Sequence, residues 1–143
     1  MTALTPTGRR LLIHGTVLFL LGLLNGFLVP YLPNPRMGLS AHLAGVQDAL
    51  VLWAFGLMWA HVQLDGWMER TAYGTALLGM YGLWVGLLLS AILGTSEAAP
   101  IAGAGFTGTP MEELVTNTII VVSALASVVA TVLVLIGLVR GKT

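Results

Sequence analysis

Residues 11–30 read LLIHGTVLFLLGLLNGFLVP, an apolar run of about the length that a helix needs to cross the hydrocarbon core of a bilayer. Three further apolar runs follow at 39–64, 71–93 and 115–139. Apolar runs of this length are typical of membrane-spanning helices. The sequence therefore predicts an all-α membrane protein, in which residues 1–143 form a single four-helix transmembrane bundle.

The composition supports this class. Of the 143 residues, 57% are hydrophobic and 8% are charged, whereas a soluble domain carries about 25% charged residues. The formal net charge is zero, so no basic surface is predicted that could bind nucleic acid. The sequence contains no cysteine, which excludes disulfides, cysteine-ligated iron–sulfur clusters and a cysteine nucleophile.

Residue chemistry predicts where the helices begin and end. Prolines are expected to end the first helix, and Ser40 is expected to cap the second. Asp65 and Gly66 separate the second helix from the third, and Thr109 with Pro110 opens the fourth. The prolines in question are Pro30, Pro33 and Pro35.

The distribution of positive charge predicts the orientation. An even number of spans places both termini on one side, and that side carries nearly all the basic residues, whereas the other short loop holds only Arg36. By the positive-inside rule, both termini are expected to face the cytoplasm, with the protein in the cell inner membrane. The outer segment 94–114 is long enough to be a functional lid. The basic residues on the inner side are Arg9, Arg10, Arg70, Arg140 and Lys142.

Small residues recur at a spacing of four in every span, which predicts close helix–helix contacts. Four short helices alone enclose little space, so some of these stripes are expected to contact other subunits of a homo-oligomer. The stripes are Gly22 with Gly26, Gly45 with Ala49, Gly82 with Gly86 and Ser90, and Ser123 with Ser127 and Thr131.

The few polar residues inside the apolar runs are the candidate functional residues, because an unpaired polar group in a membrane is costly. They are His14, Asn25, His42, Asp48, Tyr81 and Asn117. Five side chains are expected to converge on the outer half of the bundle: Asn25, His42, Asp48, Ser90 and Asn117. On the second helix, His42 shares its face with Gly45 and Ala49, a groove where a flat ligand could lie, while Asp48 is about 9 Å deeper.

Structural interpretations compete with functional ones at several of these positions. His14 is expected to lie at the interface near Arg9 and Arg10, and Asn25 and Asn117 can hold helices together. His61 is expected to be structural, beside an interfacial aromatic belt that includes Trp59 and Trp67. Two interpretations of His42 stay open: it is either a ligand or a structural histidine whose hydrogen bonds are satisfied within the fold. A functional role is favoured for Asp48, because no Lys or Arg lies within the apolar runs to pair with it.

One segment of the sequence resembles a known family. Residues 34–48, NPRMGLSAHLAGVQD, together with His14 and Gly15 in the first apolar run, resemble the hydroxylaminobenzene mutases. More distantly, the chain is similar to styrene oxide isomerase. The resemblance in length and span pattern covers nearly the whole chain.

The resemblance implies a membrane isomerase that assembles as a trimer and holds a ferric b-type haem between adjacent subunits. His42 occupies the position of the axial ligand, and Asp48 stands where the epoxide isomerase has an asparagine in its substrate pocket. In the third helix, Tyr81, Trp84 and Leu87 or Leu88 fall in the region that corresponds to the substrate site. The aspartate and tyrosine of the epoxide isomerase in that helix are not matched, which argues against epoxide chemistry.

The expected reaction is the conversion of hydroxylaminobenzene to 2-aminophenol by intramolecular transfer of a hydroxyl group. Asp48 and Tyr81 are the catalytic candidates, Asn25, Trp84 and Asn117 the substrate-binding candidates, and His42 with Gly45 the cofactor-binding candidates. Ferric haem would act as a Lewis acid. Two alternatives stay open: an isomerase of another small aromatic such as an aryl epoxide, and a non-enzymatic membrane subunit or transporter that uses Asp48.

Overall fold

The computed structural model describes residues 4–141, and within this range the chain is helical with no strand. Four long helices dominate the fold: α1 (Pro6–Leu28), α2 (Pro35–Met58), α3 (Gly66–Leu93) and, after the four-residue helix α4, α5 (Pro110–Arg140). α4 (Pro100–Gly103) lies between α3 and α5. Each long helix, with any adjoining 3₁₀ turn, is long and apolar enough to cross a membrane. The all-α, four-span prediction is confirmed.

The helix boundaries follow local capping chemistry, with one correction to the sequence analysis. The side chain of Asn34, not Ser40, caps α2 by accepting a hydrogen bond from the backbone N–H of Met37. Pro35 therefore opens α2 instead of ending α1, because its missing N–H costs nothing in the first turn. Ser40 lies inside the helix and donates to the carbonyl of Arg36. The predicted start of the last helix at Thr109 is confirmed by a capping box with Glu112.

The four long helices pack in chain order. α1 packs along α2, α2 packs along α3, and α3 packs along α5. Within residues 4–141, α1 and α5 share no extensive contact. The lipid-facing sides remain apolar, as shown by Phe27, which is 76% exposed, and Leu125, which is 62% exposed. α5 is thus placed against α3 and away from the α1–α2 interface.

Both described ends of the chain lie at the same end of the molecule, which we call the terminal end. The backbone N–H of Gln63 donates to the carbonyl of Gly137, and Arg140 forms an ion pair with Asp65 at 3.4 Å. α1 reaches the same level, because Thr7 donates to the carboxylate of Glu69 at 2.9 Å. The opposite end, which we call the loop end, contains the α1–α2 connection and the segment between α3 and α5.

Several of the small residues lie at contacts between helices of the same chain. The α-carbon of Gly45 lies 3.2 Å from the position that a Cβ on Gly22 would occupy, so the backbones of α1 and α2 meet here. A Cβ on Gly79 or Gly82 would collide with Ser127 or Ser123 of α5. Small side chains thus permit close helix approach in the absence of a hydrophobic driving force.

The tryptophan next to His61 is not part of an interfacial belt. Trp59 is only 3% exposed, and its indole N–H donates to Glu69 at 3.1 Å. Trp67, in contrast, is 68% exposed, as an interfacial residue would be. The expectation for Trp59 was wrong because a turn of 3₁₀ helix, Trp59–His61, carries its ring against the first turn of α3.

The segment between α3 and α5 is anchored at the loop end by a buried carboxylate. Glu113 accepts hydrogen bonds from the backbone N–H groups of Ser96, Glu97 and Gly108 at 2.9–3.1 Å. The side chain of Asn34 donates to the carbonyl of Gly103 and so ties α4 to the start of α2. These hydrogen bonds hold the segment between α3 and α5 over the loop end of the bundle.

Candidate functional site

The imidazole of His42 is oriented by the backbone of α1. Its Nδ1 lies 2.8 Å from the carbonyl oxygen of Gly22. A carbonyl can only accept, so Nδ1 carries the proton and the neutral ring keeps its lone pair on Nε2. Histidines that ligate metals are oriented in the same way, by a hydrogen bond from the ring nitrogen that does not bind the metal.

Gly26 makes room for this ring. A Cβ on Gly26 would lie 2.9 Å from Nδ1 of His42 and 3.0 Å from its Cε1. Any larger residue would force the imidazole away from α1. Gly22 and Gly26 thus hold His42 from two consecutive turns of α1, one through its carbonyl and one through the space that it leaves.

Gly45 is the point at which α1, α2 and α3 meet. A Cβ on this residue would lie 2.9 Å from the α-carbon of Gly22 and 2.8 Å from Cδ1 of Trp84. The indole of Trp84 therefore lies directly against the backbone of α2. The predicted groove beside Gly45 is filled in this chain by an aromatic side chain of α3.

Asp48 faces α3. Each step of three residues along a helix rotates the side chain by about 60° in a constant sense. His42 contacts α1, Gly45 lies between α1 and α3, and the next step brings Asp48 toward α3. His42 and Asp48 therefore serve different sides of α2, as their spacing predicts.

Two buried polar atoms in the α2–α3 interface have no partner within residues 4–141. They are Oδ2 of Asp48 and the indole Nε1 of Trp84. An unsatisfied buried donor or acceptor costs about 1–3 kcal/mol, and more if it is charged. Asp48 thus leaves an acceptor and Trp84 a donor unsatisfied, and a polar group that entered this interface could pair with both.

Asn25 lies in the adjacent α1–α2 interface. It is 2% exposed, and its amide donates to the carbonyl of Gly38 at 3.4 Å, while its Oδ1 has no partner within residues 4–141. Gly38 is four residues before His42, so Asn25 and His42 are neighbours along the same interface. The amide oxygen is a third unsatisfied atom near the candidate site.

Tyr81 is engaged with α1. Its hydroxyl donates to the carbonyl of His14 at 3.0 Å and lies 3.4 Å from Nδ1 of the same residue. His14 also stands edge-on to the ring of Tyr73, with ring centroids 6.4 Å apart. His14 therefore links α1 to α3 and does not simply face lipid headgroups. Tyr81 precedes Trp84 by one turn of α3.

Asn117 and Ser90 belong to the α3–α5 side of the molecule. Asn117 is half-buried on α5, beside Thr116, which donates to Thr95. Ser90 is buried and donates to the carbonyl of Gly86 in its own helix. The structure places Asn25, His42 and Gly45 along the α1–α2 interface and Trp84 with Asp48 along the α2–α3 interface, and it places Asn117 on a helix that packs against α3.

The sequence does not mark Gly22 or Gly26 as partners of the histidine. It shows them only as small residues at a spacing that permits helix packing. Their spacing of four indicates a close contact but does not say that a ring of the neighbouring helix lies in it.

The residues fit one axial ligand of a haem. Within residues 4–141, no cluster of three or more His, Cys, Asp or Glu side chains is placed to hold a bare metal ion. Haem needs only one imidazole from the protein. His42 has the required arrangement, since its Nδ1–H is held by a carbonyl and its Nε2 is free to ligate.

Comparisons with known proteins identify the family of the chain. The sequence profile of the styrene oxide isomerase family matches residues 7–139. Hydroxylaminobenzene mutase HabB of Ectopseudomonas oleovorans is 47% identical over 109 residues, which cover 76% of this chain and 66% of HabB. Hydroxylaminobenzene mutase HabA of the same organism is 38% identical over 128 residues, covering 88% of this chain and 94% of HabA.

The chain thus spans slightly less than two thirds of HabB and nearly all of HabA. No solved structure matches it. The profile match includes all four long helices and every residue of the candidate site. The chain belongs to the styrene oxide isomerase family.

Proposed function

We propose that this protein is a membrane isomerase that converts hydroxylaminobenzene to 2-aminophenol. The observation that carries the proposal is the pair of unpartnered buried atoms, Oδ2 of Asp48 and Nε1 of Trp84, between α2 and α3. Two relatives named hydroxylaminobenzene mutase support the choice of substrate. An apolar aromatic substrate would also partition into the lipid that surrounds these helices.

The reaction rearranges atoms without a net gain or loss. The N–O bond breaks, a C–O bond forms at the ortho carbon, the ortho carbon loses its proton, and the nitrogen takes up a proton. No external oxidant or reductant is needed. A site for this reaction must orient the N–OH group, accept the ring proton and keep bulk water from the electron-poor ring.

Asp48 and Trp84 meet these requirements in the proposal. The carboxylate of Asp48 binds the polar end of the substrate and accepts the ring proton as the ring regains aromaticity. The indole N–H of Trp84 donates to the substrate oxygen, and its ring with that of Tyr81 flanks the aryl group. Tyr81 already donates its hydroxyl proton to the carbonyl of His14, so its ring is held in place.

In the proposal, Asn25 and Asn117 complete the binding of substrate. Oδ1 of Asn25 is an unpartnered acceptor close to His42. Asn117 lies on α5, beyond α3, and would reach the substrate of an adjacent subunit. Four short helices enclose little space, which favours a homo-oligomer, and we propose a trimer.

His42 would hold a haem through Nε2, with Gly22 and Gly26 fixing the ring and Gly45 allowing Trp84 to pack one turn away from it. Ferric haem, when bound, supplies a Lewis acid for the departing oxygen. The contribution of this chain is the fixed tautomer of His42 and the donor–acceptor pair between α2 and α3.

A second candidate, isomerisation of an aryl epoxide, is favoured by the match to the styrene oxide isomerase family. An epoxide has an oxygen to accept the N–H of Trp84 but no amine or N–OH proton for Asp48 to bind. The non-enzymatic alternative has no support among the relatives.

The test is turnover by the purified protein in lipid nanodiscs. Hydroxylaminobenzene carrying ¹⁸O in its N–OH group should give 2-aminophenol that retains the label. Styrene oxide, assayed in parallel, should give much slower turnover. Turnover of styrene oxide alone would establish the second candidate, and turnover of neither substrate would refute the isomerase proposal for both.

A further inference from the structure

A cavity with two arginines and one carboxylate in its lining lies at the terminal end, outside the candidate site. It occupies about 110 Å³ between the first turns of α1 and α3, and its lining residues are Thr7, Arg10, Glu69, Arg70 and Tyr73. One water needs only about 10–15 Å³ by the same measure. The cavity is therefore large enough for a small polar group of several atoms.

One wall of the cavity is a carboxylate that is held in place. Oε1 of Glu69 accepts hydrogen bonds from the hydroxyl of Thr7 at 2.9 Å and from the indole N–H of Trp59 at 3.1 Å. Both bonds end on the same oxygen, which leaves Oε2 to accept from a ligand. Glu69 is thus a positioned acceptor.

Positive charge dominates the remaining surface. Arg10 and Arg70 line the cavity, and both are exposed. The one ion pair within residues 4–141 joins Arg140 to Asp65, so neither guanidinium has a carboxylate within salt-bridge distance. α1 and α3 both begin here, and their N-terminal dipoles add positive potential. Two unpaired guanidiniums and two helix N-termini surround one carboxylate.

The lipid-facing side of α1 beside the cavity is apolar. Ile13 and Val17 come one and two turns after Arg10, are 54% and 45% exposed, and line a neighbouring groove with Arg9. A lipid whose headgroup enters the cavity would lay its acyl chains on these residues.

We propose that this cavity binds the glycerophosphate headgroup of an anionic phospholipid of the phosphatidylglycerol class. The phosphate lies between the guanidiniums of Arg10 and Arg70, which match its oxygens. The hydroxyls of the headgroup donate to Oε2 of Glu69. Basic pockets between membrane helices bind such headgroups on the cytoplasmic side, which is the side that the charge distribution assigns to this end.

Native mass spectrometry of the detergent-solubilised protein tests the proposal. Phosphatidylglycerol should remain bound at collision energies that remove phosphatidylcholine. The double variant Arg10→Gln/Arg70→Gln should bind it roughly tenfold or more weakly, since each basic residue contributes to anionic lipid binding. Arg36→Gln, which removes one charge at the loop end, should bind it like the wild type. Equal retention of both lipids, or unchanged binding by the double variant, would refute the site.

Two further probes identify the ligand chemistry. Phosphatidylmethanol carries the same charge without the hydroxyls, so it should bind more weakly than phosphatidylglycerol, and Glu69→Gln should reduce that difference. Soluble glycerol 3-phosphate should not compete at equal concentration. Competition by glycerol 3-phosphate would show that the cavity binds a soluble phosphate and not a lipid headgroup. Equal binding of phosphatidylmethanol and phosphatidylglycerol would refute the role of Glu69. Each single arginine variant removes one exposed guanidinium and gives an independent measurement if the double variant does not fold.

Discussion

The Nδ1 atom of His42 lies 2.8 Å from the carbonyl oxygen of Gly22, and this contact joins the first two membrane helices. It sets the tautomer of the ring and leaves Nε2 as the free nitrogen. The Nε2 atom of half-buried His42 is the atom that a ligand would need, and the ligand role of His42 stays a prediction.

We expect His42→Ala to lose most of its bound haem while still inserting in the membrane, because no other residue supplies Nε2 at this position. The measurement is Soret absorbance per mole of purified protein. His61→Ala is the matched control, since His61 is exposed at the terminal end. Full haem retention in His42→Ala, with loss in His14→Ala or His61→Ala, would contradict the assignment.

Gly26→Ala should perturb the same ring without removing it. The added methyl would lie 2.9 Å from Nδ1 of His42, so the imidazole must shift away from the carbonyl of Gly22. We expect a shifted Soret band or reduced haem content. Gly74→Ala serves as the control, because its Cβ would meet nothing within 4 Å and the helix should gain up to about 1 kcal/mol. Identical spectra for both variants would show that Gly26 does not position the ring.

Asp48→Asn should lower turnover while leaving assembly and haem content intact. The amide keeps the shape of the side chain and removes the carboxylate that accepts the ring proton. A general acid or base contributes roughly 100- to 10,000-fold. The measurement is the initial rate of 2-aminophenol formation per bound haem at several pH values. Rates close to those of the wild type at every pH would mean that Asp48 has a packing role only.

Glu113→Gln should loosen the segment between α3 and α5. The carboxylate accepts from three backbone N–H groups, and an amide offers only one oxygen to them. The loss should be about 1–3 kcal/mol, seen as a lower unfolding temperature and faster proteolysis of residues 94–109. Glu97→Gln changes an exposed carboxylate of the same segment and should have little effect. Equal protease sensitivity in the two variants would argue against this anchor.

The proposed trimer predicts a mass of three subunits in a gentle detergent or a lipid nanodisc. Mass photometry or native mass spectrometry measures the state directly. A monomer that retains both haem and activity would disprove the trimer.

The amino-acid sequence by itself determined the class of the protein and the number of spans. Hydropathy and length are properties of contiguous residues, so the four helices and the capping box at Thr109 could be predicted from local chemistry. The family resemblance carried by residues 34–48 also required no structure. The prediction of Ser40 as the cap of α2 is wrong, because Asn34 and Pro35 together make the stronger local signal.

Only the tertiary structure decided which neighbour covers each helix face. Helical periodicity gives the angle between His42 and Asp48 around α2. It does not say that the carbonyl of Gly22 accepts a hydrogen bond from His42, or that α3 covers Asp48. The burial of Trp59 against Glu69 likewise depends on residues ten positions apart meeting across a turn. The packing order α1, α2, α3, α5 arises from small residues that let particular backbones approach, and a spacing of four is common to all four helices. Identical local patterns therefore cannot specify their partners, because the choice depends on the shapes of both surfaces.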